Sequence, residues 1–381
     1  MKILNHINTP AYVADMAKIR ANLRIAAHIK QSTNCTMLLA TKAFSMFAIF
    51  NEFATVLDGT TASGLYEARL GHEHFCGEVH AYCPAFSADD IAQLAPICQH
   101  ISFNSIKQLT AYGEQFKVRG LRINPRLSLV QNNPIYDPSN STSRFGVTIS
   151  DITPEVLSHI NLLHVHNLCE NMAADSTALL AHLCDIAPHI LHHIDYLNIG
   201  GGHYFTHTNY DVEALIAAIN HMQTTFNLRI IMESGAAHVY DAGYLVATVI
   251  DVVHCGGANI AILNASATCH MPDVLEVPYR PNVIGDVAII DDANNENASH
   301  SHQYILAGNT CLTGDIIGTY NFAKPLQAGD NVIFTDMMQY SMVKNTSFNG
   351  VPLPDIGVLE ENGEYRLIKS FGYEDFKNKL S

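Results

Sequence analysis

The chain has no run of lysine or arginine, and its 21 basic residues face 36 acidic ones, a formal net charge of −15. Binding nucleic acid through its phosphates needs the opposite balance, so that class of partner is set aside. The charge is at most consistent with a cationic small molecule. There is no Cys-x-x-Cys pair, and the cysteine count of nine is odd, which points to reduced thiols and a cytoplasmic protein. The start, Met1-Lys2-Ile3-Leu4-Asn5-His6, has no hydrophobic region long enough for a signal peptide. The most apolar later segment, 244–253, is interrupted by Thr248 and Asp251 and is too short for a bilayer, so no membrane partner is expected. The 21 histidines are scattered. His72-Glu73-His74 and His192-His193 do not have a metal-site spacing, and no metal is expected. Internal repeats and low-complexity segments are also missing.

What remains is a globular composition, 48% hydrophobic and 15% charged, over 381 residues, a length for which two domains are the default. The stretch Thr36-Met37-Leu38-Leu39-Ala40-Thr41-Lys42-Ala43 organises the first of them. It reads as a buried strand that ends in a lysine, just before a helix expected at 44–57. An amine there is costly to bury unless it is uncharged or covalently occupied, which suits a Schiff base with an aldehyde cofactor. The plainer alternative is a lysine that leaves the strand for solvent.

Strand-then-helix alternation continues from there. Strands are expected at 37–41, 59–62, 78–82, 100–103, 120–123, 162–165, 196–199 and 229–232, with helices at 65–74, 89–98, 106–116, 176–193 and 212–227. A lead-in at 9–15 and a helix at 16–31 precede them. Eight strands over about two hundred residues is the count of a (β/α)8 TIM-like barrel; a doubly wound open sheet is the competing α/β architecture. A long loop at 128–150, carrying Pro134 and Pro138, is of a length usually tied to function. After Gly235 the pattern turns β-branched and alternating, at 243–253, 260–264, 283–290, 303–307 and 331–335, with a polar surface loop at 291–297. The expected organisation is a barrel domain at 10–240 and an all-β domain at 241–381 with 1–9.

A barrel carries its chemistry at the C-terminal ends of its strands. Lys42, Arg122 with Asn124, His164 with His166, Gly200-Gly201-Gly202 and Glu233-Ser234-Gly235 all fall there. Glycine backbone can approach a phosphate closely after the seventh and eighth strands. Each residue has a plain alternative: a sharp turn for the glycines, a packed core histidine for His164, an ion pair with a barrel arginine for Glu233. Together they suit pyridoxal 5'-phosphate: an amine for the aldehyde, glycines for the phosphate, a carboxylate for the pyridine nitrogen.

Five motifs carry a family resemblance over essentially the whole chain: Ala40-Thr41-Lys42-Ala43, His164-Val165-His166-Asn167-Leu168-Cys169-Glu170, Asn198-Ile199-Gly200-Gly201-Gly202, Gly308-Asn309-Thr310-Cys311-Leu312-Thr313-Gly314-Asp315, and Gln339-Tyr340-Ser341-Met342 with Phe348-Asn349-Gly350. The chain resembles the alanine-racemase-fold (fold type III), pyridoxal-phosphate-dependent basic amino acid decarboxylases. Among these it is most similar to the carboxynorspermidine (carboxyspermidine) decarboxylases, since diaminopimelate and ornithine decarboxylases have other residues at the His-Asn-Leu-Cys-Glu and Cys-Leu-Thr-Gly-Asp runs.

The resemblance implies a β-barrel second domain and a homodimer with shared active sites. It implies that Lys42 holds the cofactor, His164 stacks on its ring and Glu233 pairs with its nitrogen. Gly200, Gly201, Gly202 and Gly235 would hold the phosphate with Tyr340. Cys311, from the partner subunit, would return a proton to Cα after CO2 leaves; its plain alternative is a buried structural thiol. Asp273 and Asp315 would bind distal ammonium groups of a polyamine-like substrate, or be surface or interface acids. Arg280 would contact a substrate carboxylate, and Arg144 would form an intersubunit ion pair.

The implied activity is decarboxylation of carboxynorspermidine or carboxyspermidine to norspermidine or spermidine and CO2 in polyamine synthesis. A diaminopimelate- or ornithine-type decarboxylase, an amino acid racemase and a non-catalytic decarboxylase-like binding protein are the alternatives. No second tyrosine base is nominated for a racemase, and Lys42 and Cys311 are both present against the binding protein. One departure stands out. Relatives usually follow the glutamate with Pro-Gly and often an arginine, whereas this chain has Ser234-Gly235-Ala236-Ala237. The expected consequence is a less pre-set turn and a weaker hold on the cofactor.

Overall fold

A computed structural model describes residues 2–129, 136–140, 142–286 and 302–381. The chain divides into two units, Arg20–His238 and Met1–Ile19 with Val239–Ser381. Among the described residues no helix is long and apolar enough to cross a membrane.

The first unit is a closed ring of eight parallel strands: β2 (Thr36–Ala40), β3 (Gly59–Ala62), β4 (Glu78–Tyr82), β5 (His100–Phe103), β6 (Val118–Ile123), β7 (Leu162–Val165), β8 (Tyr196–Asn198) and β9 (Arg229–Met232). The ring closes where Thr36 and Met37 pair with Ile231 and Met232. The doubly wound alternative is therefore excluded. Strands buried on both faces explain the near-continuous apolar runs. Leu38, Val118, Leu162 and Ile231 form one core cluster of this unit, with Tyr196 packed against it.

Helices fill most of the crossovers, and their starts are written in the sequence. Ser87, Ser105, Thr153 and Asp211 each accept a hydrogen bond from the backbone N–H three residues on. The helix expected at 44–57 is shorter than its apolar content suggests: a 3-10 turn, Phe47–Ile49, leads into Phe50–Ala54. The helix expected at 176–193 starts earlier, Ala173–Ile186, and breaks before a separate turn, Pro188–Leu191, because proline has no N–H to continue the ladder.

The second unit is a mixed sheet in the order β13 (Ile316–Phe322), β12 (His302–Ala307), β11 (Ala258–Leu263), β10 (Gly243–Cys255), β1 (Ala11–Asp15), β15 (Asp355–Leu359) and β16 (Tyr365–Lys369), with β14 (Asn331–Thr335) branching from β10. The branch is possible because β10 is long and shifts register between Val249 and Asp251. Strands β14 and β13 are linked again through 283–286, where Val283 bridges to Phe334 and Asp286 to Phe322, in keeping with the expected second barrel. One-turn helices, Ala267–His270 and Asp273–Glu276, sit between its strands.

Residues 10–19, expected in the barrel, group with this sheet. Their strand β1 lies between β10, antiparallel, and β15, parallel. Leu4, Ala11, Val13, Tyr244, Val246, Ile333 and Leu359 bury a common core there. Of the strand expected at 283–290, Val283 and Asp286 make isolated bridges, and 287–290 lie outside the described residues, as do the 291–297 loop and Pro134.

Candidate active site

Lys42 stands two residues beyond β2, in a turn closed by Ala43 N–H to the carbonyl of Ala40. Thr41 N–H donates to the Thr61 carbonyl, which ties this turn to the end of β3. Glu233 follows β9, the ring neighbour of β2, so the amine and the carboxylate share one end of the barrel. Burial lowers the Lys42 pKa, with Glu233 pulling the other way and Arg122 adding to the fall. Such an amine is closer to its nucleophilic, uncharged form than a solvated lysine is.

Glu233 is buried and held by donors. Asn198 Nδ2 donates to its Oε1 at 2.6 Å and Thr61 Oγ1 at 2.9 Å. Burial pushes its pKa up, but His164 and these two hydrogen bonds outweigh that and leave it below the ordinary value. His164 Nε2 lies 3.4 Å from Glu233 Oε2. Its own pKa is pulled down to about 4, mainly by burial, so it is neutral near pH 7.

Arg122 completes the wall. Its guanidinium lies between the rings of Tyr82 and Phe145, at 4.8 and 4.6 Å from their centroids, and donates to the His166 carbonyl at 2.6 Å. Asn124 Nδ2 donates to the Pro138 carbonyl, in the loop expected to matter for function.

The glycines have packing reasons of their own. A Cβ on Gly200 would lie 2.7 Å from His166 atoms, and one on Gly202 only 2.1 Å from the Leu168 carbonyl; both residues have positive φ. Gly200 N–H donates to Asn198 Oδ1 at 2.8 Å and Gly201 N–H to His166 Nδ1 at 3.0 Å. Two N–H groups expected to face a phosphate are thus committed to the shape of their own loop. Gly235 is pressed by Ala43 and Ala40: a Cβ there would stand 2.6 Å from that of Ala43.

The other sequence-nominated residues, Arg144 excepted, belong to the sheet unit. Cys311 is exposed, and its N–H donates to Asn349 Oδ1 at 2.8 Å. Asp315 is buried and accepts from Ser266 Oγ, Thr310 Oγ1, and the N–H groups of Thr268 and Thr310. Asp273 and Glu276 share the ammonium of Lys344. Arg280 pairs with Asp286 at 2.5 Å and lies over Tyr320. Tyr340 takes a left-handed backbone, φ 50°. Arg144, in the barrel unit, lies over the Phe145 ring.

Asn198 and Thr61 were missed from the sequence, although both sit at the ends of barrel strands. A small polar side chain there carries no composition signal, and only the position marks it.

Among the described residues, two groups of side chains bring possible ligand atoms within 4.8 Å of one another: Glu78, His80 and His100, and His164, His166 and Glu233. In the first, the two imidazoles stack with centroids 4.0 Å apart and planes 23° apart. Lone pairs in nearly parallel planes do not converge on one ion without ring rotation. The second group is the barrel mouth already described.

Residues 11–338 match the family model described as "Pyridoxal-dependent decarboxylase, C-terminal sheet domain". The chain is 40% identical over 382 residues to a carboxyaminopropylagmatine decarboxylase of Synechocystis, covering 99% of this chain and 96% of that protein. It is 35% identical to a carboxynorspermidine/carboxyspermidine decarboxylase of Campylobacter jejuni, covering 97% and 98%. The crystal structure of C. jejuni carboxynorspermidine decarboxylase complexed with norspermidine superposes with a TM-score of 0.90, at 34% identity, over 98% of this chain and 100% of that one. A diaminopimelate decarboxylase from Helicobacter pylori, at 16% identity and a TM-score of 0.81, shares the fold.

The residues present fit pyridoxal phosphate. Among the described residues, both ring nitrogens of His164, Ser234 Oγ and Asn167 Oδ1 are buried without a hydrogen-bond partner. Polar atoms left so are costly unless a ligand meets them. Beside them are the amine, the carboxylate and the close-packed glycine turns such a ligand requires.

Proposed function

Because the chain belongs to the pyridoxal-dependent decarboxylases, we propose that it removes the α-carboxylate of a carboxylated linear polyamine, carboxynorspermidine or carboxyspermidine, leaving norspermidine or spermidine and CO2. The observation that carries this reading is Glu233, held by Asn198 and Thr61 beside neutral His164, at the mouth that also holds Lys42. The bound cofactor supplies an aldehyde for linkage to an amine and a ring that takes up the electron pair left when CO2 departs.

Lys42 would hold that aldehyde through its amine. Glu233 keeps a proton on the ring nitrogen, and Asn198 and Thr61 fix the carboxylate for that task. His164 supports the ring. Gly202 and Gly235 let the backbone come close to the phosphate, with Tyr340 assisting. Cys311, offered by the partner subunit of a homodimer, returns a proton to Cα of the product. Asp273, with Lys344 and Glu276 beside it, answers to a distal ammonium; Arg280 is engaged by Asp286 and is the weaker choice for a carboxylate.

A second reading has its own support. The 40% identity to the Synechocystis enzyme favours carboxyaminopropylagmatine, in which a guanidinium replaces the terminal amine. A planar five-donor guanidinium and a compact ammonium are recognised differently, whereas one methylene changes discrimination by only about 1–3 kcal/mol.

The test is CO2 release, with the amine product identified by mass spectrometry. The panel is carboxynorspermidine, carboxyspermidine, carboxyaminopropylagmatine, diaminopimelate, ornithine and arginine. Preference for either of the first two supports the leading reading, and preference for the third supports the second. Turnover confined to the last three overturns both.

A further inference from the structure

We propose that Asp315 is a positioning residue for Cys311 and not a ligand of the substrate; this rests on the reading of Cys311 as proton donor. An ionised carboxylate offers about four acceptor positions. Asp315 receives four donors, all neutral: Thr310 Oγ1 at 2.6 Å, Ser266 Oγ at 2.8 Å, Thr268 N–H at 3.2 Å and Thr310 N–H at 3.4 Å. Three of them meet Oδ2 and one, Thr268 N–H, meets Oδ1; at a relative exposure of 2% the carboxylate is enclosed by these neighbours and shielded from an arriving ammonium.

What the carboxylate does instead is legible in the loop. Gly308 N–H donates to the Asp315 carbonyl, and Asp315 N–H donates to that of Leu312, so residues 308–315 close on themselves. The side chain lies directly over Gly308, where a Cβ would fall 2.2 Å from its Oδ2. From there it ties Thr310, the residue before Cys311, to the turn at 266–268. Ser266 N–H donates to His270 Nδ1, the His270 ring reaches the Pro352 carbonyl, and Tyr12 Oη donates to the His270 carbonyl. Cys311 N–H meets Asn349 Oδ1 from the other side. The thiol is thus carried on a short loop held on one flank by the exposed Asn349 contact and on the other by the Asp315 bonds, the inner pin. A proton donor that must meet one carbon needs such placement, because misplacement by about 1 Å costs rate steeply.

The experiment compares Asp315→Asn, Cys311→Ala and the double variant in the holoenzyme, using the substrate the wild type turns over and an analogue without its distal cation. Asp315→Asn should lower kcat by about tenfold or more, equally for both substrates, with KM unchanged. In the Cys311→Ala background the same substitution should add no further loss. Iodoacetamide alkylation of Cys311, followed by mass spectrometry, should change rate by about threefold or more in Asp315→Asn as the loop loosens. A KM increase confined to the substrate bearing the distal cation, or multiplicative losses in the double variant, overturns the proposal. An unchanged alkylation rate overturns it as well. Full activity of Cys311→Ala with the normal amine product would instead defeat the proton-donor reading, leaving the alkylation rate to judge the loop. If Asp315→Asn does not fold, Ser266→Ala and Thr310→Val remove one donor each and are read the same way.

Discussion

At the barrel mouth His164, Ser234 and Asn167 bury polar atoms that have no partner among the described residues, whereas the Asp315 carboxylate takes four donors from its own unit. Both sites are polar and buried, and sequence motifs point to both. Their hydrogen bonding separates them: atoms left over at the mouth await a ligand, and the bonds made by Asp315 hold a loop in place. A motif residue is therefore not by itself a contact residue.

Substitutions can break this distinction, beginning with the largest effect. Lys42→Ala should lower kcat/KM by at least about 10⁴-fold, more than about 5 kcal/mol of barrel-mouth chemistry, and abolish the borohydride-fixed adduct at that position in the mass spectrum. Glu233→Gln keeps an acceptor for Asn198 but loses the charge; a fall in kcat of about 10²–10³-fold, with the protein still folded, is expected.

Acid should act on the barrel unit before the sheet. Burial pulls His100 to about 3 and His164, His203 and His238 to about 4, all in the barrel unit; in the sheet unit His270 is likewise pulled to about 4. The unfolded chain protonates these rings first. Stability is therefore lost as pH falls from 6.5 toward 4, by up to about 1.4 kcal/mol per pH unit for each ring. Hydrogen exchange across that range should show barrel strands losing protection ahead of β10–β13.

The smallest pair is the sharpest. Ser266→Ala removes a donor from a buried carboxylate and should cost about 1–3 kcal/mol in denaturant melts. Ser234→Ala deletes a hydroxyl that has no partner in the ligand-free protein, and its melt should shift by less than about 0.5 kcal/mol. Equal losses from the two would erase the contrast.

The barrel was readable because short strands alternate with helical segments and several, such as β2, β7 and β9, are apolar runs with a polar residue just beyond the end, a pattern that survives without any knowledge of pairing. Lys42, His164 and Glu233 were nominated by position alone. The sheet was harder. Strand β16 has only half-buried and exposed residues, and β13 buries three in a row, Tyr320, Asn321 and Phe322, so neither shows clean alternation. The helix expected at 44–57 failed because a run rich in phenylalanine looks continuous, while Ser45 Oγ donating to the Thr41 carbonyl belongs to a turn. The bonding of Asp315 to residues 266–268 joins segments far apart in the chain, and no local pattern announces it.

Strand β1 is made early and finds a parallel neighbour only in β15, near the other end of the chain. While the ribosome is still at work, Tyr12 and Val13, both with no exposed surface in the finished protein, lack their lasting cover. At about 5–20 residues per second that wait lasts tens of seconds. The ring of eight strands, complete once Met232 has emerged, is free to form during the delay. Assembly of the nascent chain is thus expected to run from its middle outward, leaving the opening segment among the last to settle and the one most in need of protection from aggregation.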